Sequence, residues 1–342
     1  MPTVREIADR AGVSISTVSL ALNNKKGISD STRQHVLRVA AELGAQQRAT
    51  MEMDAERSAK NENRPMIIMV LHPPKVSDDV FTAFLRGMWA AIAGSNTQLQ
   101  MTVNEPNLEE NNISQLYFTD SELLPDGLLA LGARKSEPIV EQALEAGVPC
   151  VLVQRETDDP RLSAVGVDEA KMAREATEHL IHLGHRKIGF AGGRKCFSYT
   201  DGRVLGYRQA MRQAGIEVPE TWISLGWDKD TTRRLVKGAP DLTGIVFLDD
   251  GFALQFGIPA LEEAGLSIPD DISIVSFDDI EDARNHEPPI TSAELPFFEM
   301  SYRSVKLLQE QAANPNLRSQ HIRYNAILHP RPSSTPPPSP SS

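Results

Sequence analysis

Beyond Pro65 the chain alternates short apolar runs with segments of helical periodicity. Short apolar runs bounded by turn residues are typical of strands buried on both faces, and strands that alternate with helices form a parallel sheet. We therefore predict an α/β body with doubly wound parallel sheets over residues 65–330, and its length favours two lobes with chain crossings near residues 160 and 290. The predicted strands are 66–71, 127–131, 150–153, 187–193, 244–250 and 273–279, and the predicted helices are 81–93, 136–147, 169–183, 203–215, 252–265 and 298–312.

Residues 1–45, here called the head, have a different pattern that predicts three short helices. Gly12 supplies a tight turn between the first two helices, and Ser14 and Ser29 are placed to cap the second and the third. Gly44 is expected to end the third helix. Two helices joined by a glycine-containing turn and braced by a third form a helix-turn-helix. The residues expected to face its core are Ile7, Ala8, Ala11, Val18, Ala21, Leu22, Val36, Ala40 and Leu43.

Charge is divided unevenly between the head and the rest of the chain. Residues 1–48 hold seven Lys or Arg against four Asp or Glu, whereas the whole chain has a net charge of −11. The acidic total argues against a protein that coats nucleic acid over its whole surface, and the basic head favours an anion-binding unit. The only cysteines, Cys150 and Cys196, imply no disulfide framework. With no signal-peptide pattern and no apolar run of about 20 residues, we expect a cytoplasmic protein.

Two segments lack a pattern that could build a core. Residues 46–64 are polar and mixed in charge, and are predicted to form a linker. Residues 331–342 are rich in Pro and Ser, and are predicted to form a disordered tail. Because this tail has no apolar heptads, a tetramerising coiled coil is not expected.

Four stretches of the chain resemble the LacI/GalR family of bacterial repressors, and they occur in the order typical of that family. The resemblance implies a homodimer, a helix-turn-helix that reads a palindromic operator in double-stranded DNA, and a body similar to periplasmic binding proteins that senses a small molecule. The stretches are VREIADRAGVSISTVSLALNNKKGISDSTRQHVLRVAAELG, HLIHLGHRKIGFAGG, DGRVLGYRQAMRQAG and GIVFLDDGFALQFGIPALEEAGLSIPDDISIVSFDD.

The second helix explains this resemblance in chemical terms. It presents short hydroxyl groups where an exposed helix usually carries the better helix formers Glu and Lys, and such groups suit close approach to a large polar molecule. By matching position, Ile15, Ser16 and Leu20 are the expected base-reading residues, and apolar contact with thymine methyls favours A·T steps. Ile15 and Leu20 could instead pack against neighbouring helices. The expected phosphate contacts are Ser14, Thr17, Ser19, Asn23, Thr32 and the backbone near Thr3.

The linker departs from the family. Its members usually carry a Tyr, a Pro-Asn pair and a Leu that wedges into the minor groove, whereas here the Tyr and Pro are absent and Asp54 stands where the Leu is expected. Met51 or Met53 could supply an apolar wedge instead. Because carboxylates beside it would face phosphates, we predict weaker minor-groove binding than is usual for the family. Arg48 and Met53 are the linker residues expected to contact DNA.

Polar side chains follow several of the predicted strands, where ligands of open α/β sheets bind. By the resemblance, Arg203 and Asp278 match the effector-binding Arg and Asp, and Asp249 replaces an effector-binding Asn. Carboxylates accept hydrogen bonds from vicinal hydroxyls and aromatic rings cover C–H faces, so a sugar or sugar derivative is the expected effector. A purine or nucleoside is the alternative, although Phe197 stands where purine-responsive members carry Arg. The expected effector-binding residues are Phe81, Asp168, Phe197, Tyr199, Arg203, Trp227, Asp249 and Asp278.

Two other classes of protein fit the sequence less well. An enzyme on a similar body is disfavoured because the chain has no G-x-S-x-G elbow, P-loop or dinucleotide fingerprint. An extracytoplasmic solute-binding protein would carry a signal peptide and no head. No catalytic residue and no cofactor are predicted. No metal site is predicted either, since the Asp pairs supply no complete oxygen cage. Asp250 and Asp279 are expected to cap the helices that follow them, and His185 to lie in a turn.

Overall fold

A computed structural model describes residues 3–22, 27–29, 31–40, 64–72, 77–103, 124–132 and 138–338. The chain divides into two compact units, Met1–Arg64 and Pro65–Ser342. No helix among the described residues has the length and apolar character needed to cross a membrane.

The head is a three-helix unit with the predicted turn and caps. Gly12 has a φ of +65°, a left-handed conformation that suits glycine. The Ser14 hydroxyl accepts a hydrogen bond from the Thr17 N–H at 3.2 Å, and the Ser29 hydroxyl accepts one from the Thr32 N–H at 3.1 Å. The helices are α1 (Val4–Ala11), α2 (Ile15–Leu22) and α3 (residues 31–40).

The core of the head matches the prediction at most positions. Leu22 is the exception, since it was expected to be buried and is 43% exposed. It is the last residue of α2, at the edge of a core that Val36 and Val39 complete from α3. Leu43 and Gly44 lie outside the described residues. The predicted core residues that are buried are Ile7, Ala8, Ala11, Val18, Ala21 and Val36, and Ala40 packs against them half-buried.

The body contains two six-stranded sheets. In the first, every pairing is parallel and the order is β11-β5-β4-β3-β1-β2. Its elements are β1 (Met66–His72), α4 (Asp78–Ile92), β2 (Thr97–Val103), β3 (Gly127–Leu131), α5 (Pro138–Glu145), β4 (Cys150–Val153), β5 (Ser163–Val167), α12 (Phe297–Ala313) and β11 (His321–Tyr324).

The second sheet has the order β12-β10-β9-β8-β6-β7, and only its edge strand β12 is antiparallel to its neighbour. Its elements are α6 (Glu169–His182), β6 (Ile188–Ala191), α7 (Ser198–Gln213), β7 (Ile223–Ser224), α8 (Lys229–Gly238), β8 (Gly244–Phe247), α9 (Asp250–Phe252), a π-helical turn (Ala253–Gly257), α10 (Ile258–Glu263), β9 (Ser273–Asp278), α11 (Glu281–Asn285), β10 (Thr291–Glu294) and β12 (Ile327–His329).

The chain passes between the two sheets three times, after β5, after β10 and after β11. The first two passages correspond to the crossings expected near residues 160 and 290. The third was not predicted, because β11 and β12 are short strands with exposed or half-buried residues rather than apolar runs. The body is therefore a two-lobed α/β structure with parallel sheets, as the strand pattern predicted.

The predicted disorder of the tail is wrong for residues 331–338. Ser333 is fully buried, and its hydroxyl accepts from the Thr291 N–H at 2.8 Å and donates to the Ile274 carbonyl at 2.9 Å. His185 directly follows the turn at the end of α6 and is buried, with its Nε2 2.8 Å from the Thr335 carbonyl oxygen. Composition was a poor guide here because this segment is held by polar contacts to the amino ends of β9 and β10 rather than by a core of its own.

Candidate functional site

A fully buried arginine lies at the carboxyl edge of the second sheet. Arg203, on α7, is 1% exposed. Its Nε donates to Glu169 Oε2 at 2.8 Å, its Nη1 donates to the Leu248 carbonyl at 2.5 Å, and its Nη2 is 3.7 Å from Asp278 Oδ1. The guanidinium also lies over the ring of Phe277, 4.8 Å from the centroid. The guanidinium is therefore held by two hydrogen bonds and an ion pair within the protein.

Two carboxylates pair with this guanidinium, those of Glu169 and Asp278, and a third, that of Asp249, is close enough to interact with it electrostatically. Glu169 is 6% exposed at its side chain and Asp278 is 17% exposed. Burial, and then repulsion from Asp278, raises the pKa of Asp249 to about 7. Burial also raises the pKa of Glu169 and of Asp278, although Arg203 opposes both shifts. Hydrogen-bond donors from a ligand would offset this desolvation, because a carboxylate accepts through both oxygens.

The backbone is unusual where β9 ends. Asp278 has a φ of +97° and Asp279 a φ of +55°. Such left-handed conformations are uncommon outside glycine, and they cluster at ligand-binding sites. The strand therefore ends in a strained turn that carries Asp278 beside Arg203.

The predicted cap of α9 is displaced by one residue along the chain. Asp249, not Asp250, caps α9 by accepting from the Phe252 N–H at 2.7 Å. Asp250 is fully buried, accepts from the Ile280 N–H at 3.1 Å and from the Ser292 hydroxyl, and has a pKa raised by burial, and then by Asp278, to about 8. Because β8 ends at Phe247, the first helical residue falls at position 250.

Asp279 also does not cap a helix. Its carboxylate lies 2.6 Å from Arg331 Nη1. Asp279, Glu294 and His329 place ligand atoms within 4.8 Å of one another, a grouping that could hold a metal. These side chains already have partners. Glu294 Oε2 lies 2.8 Å from His329 Nε2, and the Asp279 carboxylate pairs with Arg331.

Aromatic rings border the arginine. Phe197 and Tyr199 stack with centroids 5.1 Å apart, and the Arg203 guanidinium lies 5.5 Å from the Tyr199 ring. Trp227 packs 5.7 Å from the ring of Phe252, whose N–H is bound by Asp249. The structure thus brings most of the predicted effector-binding set together on the second lobe.

Two members of the predicted set have other contacts in the structure. Phe81, on α4, is 5.0 Å from the ring of His72 at the end of β1 in the first lobe. Asp168 caps α6, since its carboxylate accepts from the Lys171 N–H at 2.9 Å. Its carboxylate therefore has a local structural contact in addition to any ligand contact.

An open groove adjoins the arginine cluster. It is lined by the segment that follows β4, by β5 and β11, and by the start of α7, and it includes both Glu169 and Tyr199. Gln154 lies in it directly after β4, with a φ of +58°. Sequence reasoning missed Gln154 and Glu169, although both follow strands at their carboxyl ends, which is the signal that identified the Asp residues.

The second helix of the head presents the predicted polar surface. The Ser14 hydroxyl is 2.8 Å from that of Ser16 and 2.9 Å from that of Thr17. Ile15 is 54% exposed, so it does not pack into the core, whereas Leu20 is half-buried. Of the other candidates, Thr3, Ser19 and Thr32 are described, and Asn23, Arg48, Met53 and the wedge alternative Met51 lie outside the described residues.

Comparison with known proteins agrees with both parts of this arrangement. Residues 3–45 match the bacterial regulatory proteins of the lacI family, and residues 177–334 match a periplasmic binding protein-like domain. The chain therefore combines the DNA-binding domain of the lacI family with a periplasmic binding protein-like domain. Proteins with this head are DNA-binding transcriptional regulators, so the α2 surface and the arginine cluster are the candidate DNA-binding and effector-binding sites.

Relatives within the LacI family match over nearly the whole chain. The transcriptional regulator CelR of Thermobifida fusca is 28% identical over 91% of this chain and 92% of its own length. The transcriptional repressor CytR of Escherichia coli K12 is 27% identical over 95% of this chain and 93% of its own length. A solved structure of a CelR–cellobiose complex is 26% identical with a TM-score of 0.72, covering 97% of this chain and all of the other.

Proposed function

We propose that this protein is a homodimeric transcriptional repressor that binds a palindromic operator and is controlled by a sugar or sugar derivative. The observation that carries the effector class is the pairing of Glu169 and Asp278 with Arg203, close to Asp249 and beside the stacked rings of Phe197 and Tyr199. Carboxylates accept from vicinal hydroxyls, and flat rings cover the C–H face of a sugar. The similarity to a CelR–cellobiose complex supports the same class.

The control mechanism follows from the two-lobed body. A ligand that contacts both lobes stabilises one angle between them, and a change in that angle alters operator affinity if the two states bind DNA differently. The protein would act where its DNA lies, in the cytoplasm. Two heads are needed because one short recognition helix contacts too few base pairs for a specific site.

Asp278→Asn is expected to lower sugar affinity at least about tenfold without weakening operator binding, because it removes a charged acceptor from the cluster. Asn tolerates the left-handed backbone of this position, so the fold should be retained. Calorimetric titration with cellobiose, ribose and adenosine measures the change. The matched control is Asp241→Asn, which neutralises a carboxylate that pairs with Lys187 on the surface.

Two outcomes of this titration would count against the sugar proposal. Adenosine binding without sugar binding would favour the nucleoside alternative. Equal sugar affinity in wild type and Asp278→Asn would remove Asp278 from the site.

Leu20→Arg is expected to change the preferred operator more than the salt dependence of binding. An arginine can make a bidentate contact with guanine, which a leucine cannot, so G·C pairs should replace A·T pairs at one position of each half-site. Selection of randomised DNA on the wild-type and variant proteins, followed by sequencing, measures this. An unchanged preference would exclude Leu20 from the base-reading residues.

A further inference from the structure

The C-terminal end of the recognition helix carries no cation of its own. Helix α2 has only eight residues, Ile15–Leu22, and its last turn contains no basic residue. The final carbonyls of any helix lack partners within that helix, and a helix this short is marginal without tertiary support. Cations normally stabilise this end because it carries the negative pole of the helix dipole. A cation from outside α2 would therefore stabilise its last turn.

The structure supplies a cation from the next helix. Arg33 Nη1 donates to the carbonyl of Leu20 at 3.1 Å and to that of Ala21 at 3.3 Å. The side chain is half-buried between α2 and α3. Its backbone is fixed in turn, because the Arg33 N–H donates to the Ser29 carbonyl at 3.0 Å in the capped first turn of α3.

We propose that Arg33 is a positioning residue for operator recognition, which holds the last turn of α2 and with it Leu20. This inference rests on the proposed function, since it assumes that α2 reads DNA. A basic residue in a DNA-binding head would ordinarily be assigned to a phosphate. Here the guanidinium is directed to two backbone carbonyls, and its planar fork suits that role better than the point charge of a lysine.

The proposal assigns different roles to the two ends of α2: phosphate contacts to the first turn and base reading to the last. Ser14 and Thr17, whose hydroxyls are expected to contact phosphate, lie at the first turn of α2. Their hydroxyl oxygens are 2.9 Å apart and hydrogen-bonded. Leu20 lies at the last turn, where Arg33 binds. Loss of the Arg33 contacts should therefore weaken base reading while the phosphate contacts at the first turn persist.

Salt dependence of DNA binding tests the proposal on the full chain. A residue that neutralises a phosphate contributes about 0.9 to the slope of log affinity against log salt, and contributes equally to operator and random DNA. Arg33→Met should weaken operator binding about tenfold or more. Its slope and its affinity for random DNA should match those of Arg38→Met, a control that removes the same charge from the exposed face of α3, where Arg38 contacts His35.

Arg33→Lys provides the decisive second variant, because lysine keeps the charge but cannot reproduce the fork. Under the proposal, Arg33→Lys loses most of the preference for operator over random DNA. Its slope of log affinity against log salt stays that of the wild type. Wild-type preference in Arg33→Lys, together with a slope lowered by about 0.9 in Arg33→Met relative to Arg38→Met, would identify a phosphate contact and overturn the proposal.

Two further observations keep the results interpretable. Amide NMR signals of the head report whether α2 stays folded, and an unfolded head would lower operator and random-DNA binding together, contrary to the expected pattern. If the wild-type protein itself does not prefer any operator, the proposed function fails rather than the role of Arg33.

Discussion

Arg203→Met is expected to lower the free energy of unfolding of the body by about 3–5 kcal/mol, because it leaves a buried carboxylate without its partner. Glu169 lies 2.8 Å from Arg203 and is almost fully excluded from solvent. The Leu248 carbonyl loses its donor in the same variant. Urea unfolding followed by tryptophan fluorescence measures the change, since Trp227 lies in this lobe.

A double variant distinguishes loss of the ion pair from loss of packing. Arg203→Met combined with Glu169→Gln removes both charges and should recover a large part of the stability. Arg208→Met is the matched control on the same helix, because its pair with Glu220 at 2.7 Å is exposed and contributes less than about 1 kcal/mol. Wild-type stability in Arg203→Met, accompanied by loss of sugar binding, would contradict this and would assign Arg203 to the ligand alone.

Arg203 illustrates what sequence could and could not supply. The resemblance predicts that it binds an effector, and the apolar runs predicted both ends of β3 and β4 correctly. No local pattern could indicate that Glu169 pairs with it. The two residues belong to different helices, α6 and α7, and they meet only because these helices pack closely at Gly206, where an added Cβ would lie 2.1 Å from the Ala170 carbonyl.

The missed elements share a physical cause. Strand β2, TQLQMTV, lies at the edge of its sheet and alternates polar with apolar residues, so it lacks the continuous run that revealed the central strands. Helix α8, KDTTRRLVKG, is mostly polar and buries only Thr231, Thr232 and Leu235. Periodicity detects elements through the apolar surface that they bury, and elements that bury little surface give a weak signal.

The C-terminal segment is the most informative error, because its contacts are polar and distant in sequence. Ser333 replaces missing backbone partners in the second lobe: its carbonyl accepts from the Ile274 N–H at 2.9 Å and its hydroxyl from the Thr291 N–H at 2.8 Å. Arg331 reaches Asp279, which follows the effector candidate Asp278. A segment with the composition of a disordered tail thus stabilises the strand that ends at the candidate site.

A chain that ends at Pro330 is therefore expected to be less stable by about 3 kcal/mol or more, because at least three buried groups lose their partners and each such loss costs about 1–3 kcal/mol. Those groups are the Ile274 and Thr291 N–H groups and the ring of His185. Urea unfolding of the body measures the loss, and calorimetry with cellobiose tests whether the turn at Asp278 is also disturbed.

The matched control is a chain that ends at Pro338, which retains every contact of residues 331–337 and should unfold like the full chain. If the two shortened chains were equally stable, the polar contacts of Ser333 and Thr335 would contribute nothing measurable to the fold. If instead only the chain ending at Pro330 lost stability and sugar affinity together, the C-terminal segment would act on the cleft through Arg331 and Asp279, since these are the residues that join it to the end of β9.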